Sequence, residues 1–468
     1  MPRKKVSKRK TPIKKTAKKK SQKKVRKLTT KNKIEKPLIL QTLRGMKDIL
    51  PKDQFFWDQV RRTSQRLARD YGFSRIDTPI VEYANLYIKG VGKGTDIIEK
   101  EMYTFTTKGR DKVALRPELT VGNCRSYIQN GMHLLPKPVK LFSTGPVFRY
   151  DRPQKGRYRE HHQVNFDAFG EQDPILDAQI IQIANRLIQS LGIKAVQIQV
   201  NSIGCSVCRK DYKDLLVNYL ESKKNKLCKD CKRRIYTNPL RVLDCKEDKC
   251  SQVAAAAPQS VDHLCAECHT HFKTLLEYLD ELDLPYMINP HLARGLDYYT
   301  KTVFEIWSEV ESGKKLSLGG GGRYDNLIKL IGGKDTPAIG FGVGIERLVA
   351  EMKRVQAKPY QPPKPKVFLA QLGSLAKRKS LQLFSELEKN GILVAESFGR
   401  GNLRSQLKVA NKLGVEITLI LGQKETLDKT VIVKSMTTGA QETVSMDKLI
   451  NVIKKRLKSD NVIIYRNA

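Results

Sequence analysis

The chain has 468 residues, with 87 Lys or Arg against 48 Asp or Glu and a net charge of +39. This length predicts about two to four domains, and 40% hydrophobic residues exclude a wholly disordered protein. No apolar run approaches the ~20 residues that span a bilayer, and none follows the basic N-terminus, so neither a membrane span nor a secretory signal is expected. The charge predicts a polyanionic partner, nucleic acid rather than an anionic membrane surface.

Residues 1–37 form a lysine-rich leader, whose first 36 positions hold 18 Lys or Arg and one acid, a net +17. Self-repulsion and the lack of buriable surface predict disorder. One interpretation is a flexible arm that adds salt-sensitive affinity for RNA. The alternatives are a solubilising tail and a transit peptide, although transit peptides are usually rich in Arg and Ser rather than in Lys.

The segment 38–201 is rich in strands. Apolar spacing predicts a helix over 53–70, and the run 73–81 reads as a strand interrupted by Pro79, which marks an edge, a bulge or an interface. Other predicted elements are strands over 113–115, 140–142, 164–169 and 195–200 and a helix over 175–190. The irregular alternation predicts an α+β fold, an antiparallel sheet flanked by helices.

A proline cluster at 358–366 predicts an extended linker. Beyond it the pattern alternates, with strands predicted over 367–372, 393–396, 417–421 and 430–434 and helices over 380–390, 403–413 and 446–457. This alternation predicts a separate α/β domain at 367–468 with a mostly parallel sheet.

The first chemically informative segment is the charged stretch 148–163, which lies between two strand-like runs. Arg149 falls at a strand end, where a rigid element can aim its guanidinium at a phosphate. The loop also presents basic side chains that suit a polyphosphate or an RNA end: Arg152, Lys155, Arg157 and Arg159. A merely solvated hairpin would not need so many arginines.

The second segment is 338–348, a glycine-rich strand that runs into a helix opening with Glu346 and Arg347. The glycines allow a flat ligand to approach the backbone, and Arg347 can reach a phosphate. Arg149 and Arg347 together predict a clamp on a triphosphate.

These motifs resemble the class II aminoacyl-tRNA synthetases, and specifically the histidyl-tRNA synthetase family. The run 73–81 resembles the first class motif, a dimer-interface strand, and the Arg149 and Arg347 segments resemble the second and third. Two more strings are peculiar to that family: Arg294-Gly295-Leu296-Asp297-Tyr298-Tyr299-Thr300 and Gly319-Gly320-Gly321-Gly322-Arg323-Tyr324-Asp325. The resemblance runs from about Leu43 to Leu457.

The resemblance implies a cytoplasmic homodimer with no membrane association that acts on ATP, L-histidine and tRNA(His). Histidine would attack the α-phosphate of ATP to give histidyl-adenylate and pyrophosphate, and the tRNA 3′ end would then accept histidine. The implied order is catalytic core at 38–201, a helical Cys-rich insertion at 202–283, catalytic core at 284–357, the linker, and an anticodon-binding domain whose Arg400, Arg404 and Lys408 face the anticodon loop.

The resemblance also assigns side chains. Arg149 and Arg294 would flank the α-phosphate as the catalytic pair, Arg294 in place of a metal, while Arg157 and Arg347 bind ATP, whose β- and γ-phosphates carry Mg²⁺. Histidine would be held by Glu118, Thr120, Gln163, Asp167, Tyr298 and Tyr299. Asp167 departs from the usual glutamate, and its shorter side chain predicts a water-mediated contact with the imidazole. Core packing is the alternative role for the two tyrosines.

Eight of nine cysteines fall in the insertion as four closely spaced pairs: Cys205/Cys208, Cys228/Cys231, Cys245/Cys250 and Cys265/Cys268. A cytosolic enzyme should hold no disulfides, so the spacing predicts two structural Cys₄ zinc sites. The alternative is that they are small residues without metal. Lone Cys124 reads as a packing residue. Basic residues of the insertion, Lys229, Lys232, Arg233 and Arg234, suit the tRNA acceptor arm.

Two other functions compete with this one. A regulatory subunit of ATP phosphoribosyltransferase shares the catalytic fold, but such paralogues typically lack the C-terminal domain and degrade the active-site strings. A non-enzymatic RNA-binding protein would explain the leader but not the arginines suited to ATP.

Overall fold

The computed structural model describes residues 40–151, 156–243, 245, 247–309 and 315–457. The chain divides into two units, Met1–Arg44 and Gly45–Ala468, and the described part of the first, residues 40–44, contains neither helix nor strand. The predicted disordered leader at 1–37 lies outside the described residues. Among the described helices, none combines the length and apolarity that crossing a membrane requires.

The chain from Pro51 to Arg354 builds the larger part of the second unit. Its strands are β1 (Ser74–Arg75), β2 (Val81–Tyr83), β3 (Thr104–Thr106), β4 (Lys112–Leu115), β5 (Val139–Phe148), β6 (Glu160–Phe169), β7 (Val196–Ser202), β8 (Tyr286–Ile288), β9 (Thr300–Glu309), β10 (Lys315–Arg323) and β11 (Ala338–Gly344). Its helices are α1 (Pro51–Asp70), α2 (Ala84–Val91), α3 (Thr120–Gln129), α4 (Pro174–Ser190), α5 (Ser206–Ser222), α6 (Lys229–Thr237), α7 (Leu240–Leu243), α8 (Asp248–Ala255), α9 (Ala266–Glu281), α10 (Leu327–Leu330) and α11 (Ile345–Arg354).

Eight of these strands form one sheet in the order β1-β5-β6-β11-β10-β9-β7-β8. The two outermost pairs, β1 with β5 and β7 with β8, are parallel, and the pairs between them are antiparallel. A small second sheet has the order β2-β4-β3. The predicted α+β fold with an antiparallel sheet flanked by helices is confirmed.

The predicted strand over 73–81 is wrong as one element. It breaks into β1, which pairs with β5 of the large sheet, and β2, which pairs with β4 of the small sheet. Pro79 lies in the irregular stretch between them, where its lack of a backbone N–H breaks no hydrogen bond of a sheet. Proline thus separates two strands that serve different sheets.

Alternation along β6 separates a helix-covered face of the large sheet from a polar one. Val164, Phe166 and Ala168 belong to the main hydrophobic core, which also contains residues of α1, α4, α9 and α11. Gln163 and Asn165, which alternate with them in sequence, line a cavity on the other face. The two-residue period of a strand therefore decides which side chains meet a ligand.

A buried ion network ties the glycine-rich string to the helices. Arg323 and Asp177 are both inaccessible to solvent, and Arg323 Nε lies 2.8 Å from Asp177 Oδ1. Asp177 Oδ2 also lies 2.9 Å from His271 Nε2 of α9. Removing one partner of such a pair leaves a buried charge uncompensated, at a cost of about 3–5 kcal/mol. The network fixes β10 just before Tyr324.

The C-terminal domain follows residues 357–366, which form neither helix nor strand. Its elements are β12 (Val367–Gln371), α12 (Ser374–Lys389), β13 (Val394–Glu396), α13 (Leu403–Leu413), β14 (Ile417–Leu421), α14 (Gln423–Leu427), β15 (Thr430–Ser435), β16 (Gln441–Ser445) and α15 (Met446–Arg456). The mostly parallel sheet predicted here is wrong. β12 pairs in parallel with β13 and β14, but β14-β15 and β15-β16 are antiparallel. The connection 422–429 is too short for a parallel crossover, and the prediction missed β16.

Candidate active site

A cavity of about 690 Å³ opens on the polar face of the large sheet. Nine of the ten residues to which the sequence assigned substrate contacts line it: Glu118, Thr120, Arg149, Arg157, Gln163, Arg294, Tyr298, Tyr299 and Arg347. The strand glycines Gly319, Gly320, Gly340 and Gly342 also line it. Without Cβ atoms, these positions leave room for a ligand to approach the sheet.

Three arginines, Arg149, Arg157 and Arg347, line the cavity together. Arg149 follows β5, and its Nε donates to the Pro117 carbonyl at 2.8 Å. Arg347 in the first turn of α11 donates from Nη1 to the Ser317 carbonyl, also at 2.8 Å. Burial, and then the positive charges of Arg157 and Arg149, lower the pKa of Arg347. A polyanion in the cavity would relieve this repulsion. The predicted loop residues Arg152 and Lys155 lie outside the described residues.

Arg294 enters the cavity from another direction. Its Nη1 lies 3.0 Å from Glu305 Oε1, and Ser317 Oγ donates to the same carboxylate oxygen at 2.5 Å. Its guanidinium carbon lies 5.8 Å from the ring centroid of Tyr299. The Nε of Arg294 is buried without a hydrogen-bond partner among the described residues. The side chain is thus held in place while one donor remains available to a ligand.

The start of α3 presents a carboxylate to the cavity. Glu118 accepts hydrogen bonds from the backbone N–H groups of Thr120 at 2.8 Å and Val121 at 2.7 Å. Burial nevertheless raises the pKa of Glu118 to about 7. Thr120 Oγ1 accepts from Asn165 Nδ2 at 2.9 Å, which links this corner to β6.

Several polar atoms on β6 lack partners within the described part of the chain. They are His161 Nδ1, Gln163 Oε1 and Asn165 Oδ1, all buried. Burial, followed by the charges of Arg149 and Arg347, lowers the pKa of His161 to about 3, so its imidazole is neutral at physiological pH. Because buried polar groups in proteins are normally hydrogen-bonded, three orphan atoms along one strand indicate a polar ligand.

Asp167 is the one predicted substrate-contacting residue that lies behind the cavity wall. It is fully buried, and it accepts from the Tyr324 hydroxyl at 2.5 Å and from Asn123 Nδ2 at 2.8 Å. Tyr324, together with Tyr298 and Tyr299, lines the cavity itself. Burial raises the pKa of Asp167 to about 6. Asp167 therefore reaches the cavity through Tyr324.

Sequence reasoning missed Glu305 and Arg241, and it named Tyr324 and Arg234 without placing them at the cavity that all four line. Glu305 had a usable signal, a single acid within the otherwise apolar run 303–307 of β9. Tyr324 sat in a string already singled out, but its role depends on strand register. The contribution of the insertion had no local signal, because it arises only when distant segments meet.

The insertion forms one edge of the cavity. Arg234 Nη2 lies 2.8 Å and Arg241 Nη2 3.3 Å from Asp96 Oδ2, and all three residues line the cavity. Arg233, predicted to suit tRNA, lies 2.9 Å from Glu99. The basic residues of α6 are thus partly engaged by the catalytic core.

The eight insertion cysteines gather into two clusters. The outer cluster joins Cys205, Cys208, Cys265 and Cys268, and the inner cluster joins Cys228, Cys231, Cys245 and Cys250, with all sulfurs in each within 4.8 Å of one another. All are free thiols. Cys205 Sγ lies 3.7 Å from Cys208 Sγ and 3.9 Å from Cys265 Sγ. A tetrahedral zinc–thiolate site with Zn–S of ~2.3 Å has sulfur–sulfur edges of about 3.8 Å.

Backbone N–H groups also point at these sulfurs, since Cys205 N donates to Cys208 Sγ at 3.1 Å and Cys228 N to Cys250 Sγ at 3.2 Å. The ninth cysteine, Cys124, is fully buried in the core, as its packing role predicted.

Three features together define a class II aminoacyl-tRNA synthetase. They are an antiparallel sheet with Arg149 in a connection between two of its strands, a glycine-rich strand that leads into the helix carrying Arg347, and a separate C-terminal domain. The family model for histidyl-tRNA synthetase matches residues 45–348, and the anticodon-binding-domain model matches 366–456. A histidine–tRNA ligase of Dehalococcoides mccartyi is 47% identical over 417 residues, covering 89% of this chain and all of the relative. One of Desulforamulus reducens is 41% identical over 413 residues, covering 88% of this chain and 98% of the relative.

A solved structure of apo Staphylococcus aureus histidyl-tRNA synthetase is 32% identical, with a TM-score of 0.73, and covers 89% of this chain and all of that one. The chain belongs to the histidyl-tRNA synthetase family. Its activity is the ATP-dependent ligation of histidine to tRNA, so neither the regulatory paralogue nor the non-enzymatic RNA-binding protein describes it.

Proposed function

We propose that the cavity catalyses both steps of this ligation with the residues that line it. In the first step a carboxylate oxygen of histidine attacks the α-phosphate of ATP, and pyrophosphate leaves as its magnesium complex. Arg149 and Arg294 flank the α-phosphate, where negative charge grows, and Arg157 and Arg347 hold the distal phosphates. The convergence of Arg149, Arg157, Arg294 and Arg347 on one cavity is the observation that carries this proposal, because a triphosphate would bring negative charge among them.

Histidine lies across the cavity from these arginines. Glu118 and Thr120 hold its ammonium group, and Gln163, with an unpartnered oxygen, accepts a further hydrogen bond from the substrate. Tyr298, Tyr299 and Tyr324 wall the imidazole. Asp167 orients the Tyr324 hydroxyl. The aspartate, which is shorter than the glutamate usual in the family, thus acts on the imidazole through this tyrosine.

In the second step the ribose hydroxyl at the tRNA 3′ end attacks the carbonyl carbon of the adenylate. The ester bond forms, AMP leaves, and a phosphate oxygen of the adenylate accepts the hydroxyl proton. The neutral imidazole of His161 lines the cavity without being needed as a base.

The test is ATP–pyrophosphate exchange with each amino acid in turn. Exchange should require histidine, and Arg294→Ala should reduce it by about 10²–10³-fold, as expected when one preorganised donor to a developing charge is lost. Retention of activity in Arg294→Ala would remove that arginine from the mechanism, and equal exchange with another amino acid would contradict the specificity.

The tRNA partner is tRNA(His), and its anticodon loop would meet the C-terminal domain. Arg400, Arg404 and Lys408 are exposed there, and Asn402 caps the intervening start of α13 by accepting from Arg404 N at 2.8 Å. Replacing all three by Ala should weaken tRNA binding without changing pyrophosphate exchange.

The protein would act in the cytoplasm as a homodimer. Ile80, Val81 and Tyr83, in and beside the run that resembles the first class motif, are 42%, 43% and 63% exposed. Apolar side chains gathered at one sheet edge favour a covered surface there. Sedimentation at equilibrium should give twice the chain mass of 53.2 kDa.

The two cysteine clusters would each bind one structural Zn²⁺. Four sulfurs at tetrahedral spacing, with backbone N–H donors to stabilise thiolates, match the donor set that zinc prefers. Elemental analysis should find about two equivalents of zinc per chain, and less than half an equivalent would leave the cysteines as packing residues.

A further inference from the structure

We propose that zinc in the inner cluster holds one edge of the active site in place and thereby positions the segment that receives histidine. This edge is the lip, residues 229–243, which comprises α6 and α7. The inference rests on the proposed function, because it concerns the histidine side of the same cavity.

The lip contacts the catalytic core through polar side chains along its length. Arg233 and Arg234 of α6 meet Glu99 and Asp96, and Arg241 of α7 meets Asp96 as well. Between the two helices, Asn238 Nδ2 donates to Asp297 Oδ1 at 2.5 Å. Each of these four contacts joins a polar residue of the lip to an acid of the core.

The inner cluster takes its four sulfurs from around the lip. Cys228 caps α6 and Cys231 lies in its first turn, Cys245 follows α7, and Cys250 lies on α8. A metal bound by these four residues closes the lip into a loop at both ends. A small apolar core, to which the lip contributes Ile235, Val242 and Leu243 with Leu240 packed against it, supports that loop. A metal site absent from the unfolded chain would add its binding free energy to that of this core and so supply part of the folding free energy of the lip.

The contact with Asp297 carries the effect into the active site. Asp297 stands directly before Tyr298 and Tyr299, and its backbone N–H donates to the Val91 carbonyl at 3.2 Å. A Cβ built on Gly92 would lie 2.6 Å from Asp297 Oδ2, so the carboxylate is packed closely against that glycine. Asp297 is thus held by contacts with the end of α2 on one side and by the hydrogen bond from Asn238 on the other. Loss of the lip contact frees the segment that walls the imidazole.

Of the four arginines assigned to ATP, three lie on other elements, whereas Arg294, assigned to the α-phosphate, stands three residues before Asp297. Arg149 and Arg157 belong to the β5–β6 connection and Arg347 to α11, none of which contains a lip residue. A displaced lip should therefore raise the KM for histidine and leave the KM for ATP, which Arg157 and Arg347 support, unchanged, while any shift of Arg294 lowers kcat because Arg294 acts on charge that grows in the transition state. A general loss of structure would instead impair both substrates.

The experiment measures both KM values by pyrophosphate exchange with the full chain. Asn238→Ala removes the contact to Asp297 but leaves all eight cysteines, and Asn225→Ala, at an exposed position of the same insertion, is its matched control. We expect the KM for histidine to rise about tenfold in Asn238→Ala, the size typical of a supporting residue, with no change in Asn225→Ala. An unchanged KM for histidine, or an equal rise in the KM for ATP, would overturn the proposal.

The metal itself is tested with Cys245→Ser and with wild-type protein stripped of metal by a chelator under reducing conditions. Both should show the rise in the KM for histidine, and adding Zn²⁺ alone should restore only the stripped wild type. Thermal unfolding shows whether Cys245→Ser still folds. If it does not fold, the KM for histidine of the metal-stripped wild type is the test of the role of zinc. Stripping without effect on the KM for histidine would refute the role of the metal. Absence of histidine-dependent exchange in the intact wild type would instead refute the proposed function.

Discussion

Single residues in this molecule owe their chemistry to what surrounds them. Nothing in the local sequence distinguishes Glu118 from an exposed glutamate. Its burial nevertheless raises its pKa to about 7, even though two backbone N–H groups donate to it. His161 lies among arginines and stays neutral, with a pKa of about 3. Three arginines facing one cavity make the site ready for a triphosphate before any ligand arrives.

The shift of Glu118 predicts a pH dependence. A raised carboxyl pKa means that the free enzyme carries the carboxylate, which pairs with the histidine ammonium, only above about pH 7. We expect kcat/KM for histidine in pyrophosphate exchange to rise through pH 7 and then level off. The pH dependence of kcat/KM for ATP at saturating histidine should lack this rise, because the bound ammonium keeps Glu118 ionised. A rise common to both profiles would assign the pKa to another group.

The same shift has a consequence for stability. Relative to an unfolded carboxyl group near 4.5, the stability that Glu118 contributes is fully present below that pH and is lost as the pH rises through about 7. Glu118→Gln should therefore be less sensitive to this pH range in thermal unfolding, while its activation of histidine falls.

At the scale of elements, close backbone approach shapes the site as much as side chains do. β10 pairs Gly319–Gly322 with the Gly340–Val343 stretch of β11, so two glycine-rich strands lie side by side. A Cβ added at Gly321 would lie 2.0 Å from the Gly340 carbonyl oxygen. The glycines of this string thus allow β10 to pack closely against β11, and they also leave space for a ligand in the cavity.

Gly321→Ala should therefore lower stability by about 1–3 kcal/mol, the usual cost of forcing extra volume into a packed region. Denaturant unfolding measures the change, and pyrophosphate exchange should fall with it because β10 leads to Tyr324. Gly401→Ala makes the same substitution where a Cβ meets nothing within 4 Å, and it should behave as wild type. Equal stability of the two variants would show that β10 tolerates a side chain.

At the scale of the whole molecule, charge is divided between parts with different tasks. The first 36 residues carry a net +17 of the total +39, while the rest of the chain carries +22. In the described part, arginines such as Arg149, Arg294 and Arg347 are held in defined geometry, whereas the leader offers charge without sequence information. Its proposed role is to add salt-dependent affinity for tRNA.

Deleting residues 1–37 tests that role. We expect weaker tRNA binding and a shallower fall of log K with log salt, because fewer counterions are released when the lysines are absent. Filter binding across a range of salt concentrations measures the slope, and pyrophosphate exchange, which needs no tRNA, should be unchanged. The same slope in both proteins would make the leader a solubilising tail.

The sequence by itself determined the fold class, most element positions and the segments that carry chemistry. Arg149 and Arg347 could be found because an arginine-rich loop and a glycine-rich strand point to phosphate chemistry, whereas the role of Arg294 came only from the resemblance to the family. Local apolar period likewise determined helices such as 403–413, which matches α13. These features depend on residues that are close together in the chain, so the sequence pattern is enough to predict them.

Only the tertiary structure decided which cysteine pairs join, that Asp167 stands behind Tyr324, and that the lip meets Asp96 and Asp297. It also corrected the strand at 73–81 and the pairing of β15 and β16. Each of these depends on strand register or on contacts between distant segments, and neither leaves a local signature. The distribution of charge along the chain was visible from the sequence, but its use at an active site appeared only when folding brought the arginines to one cavity.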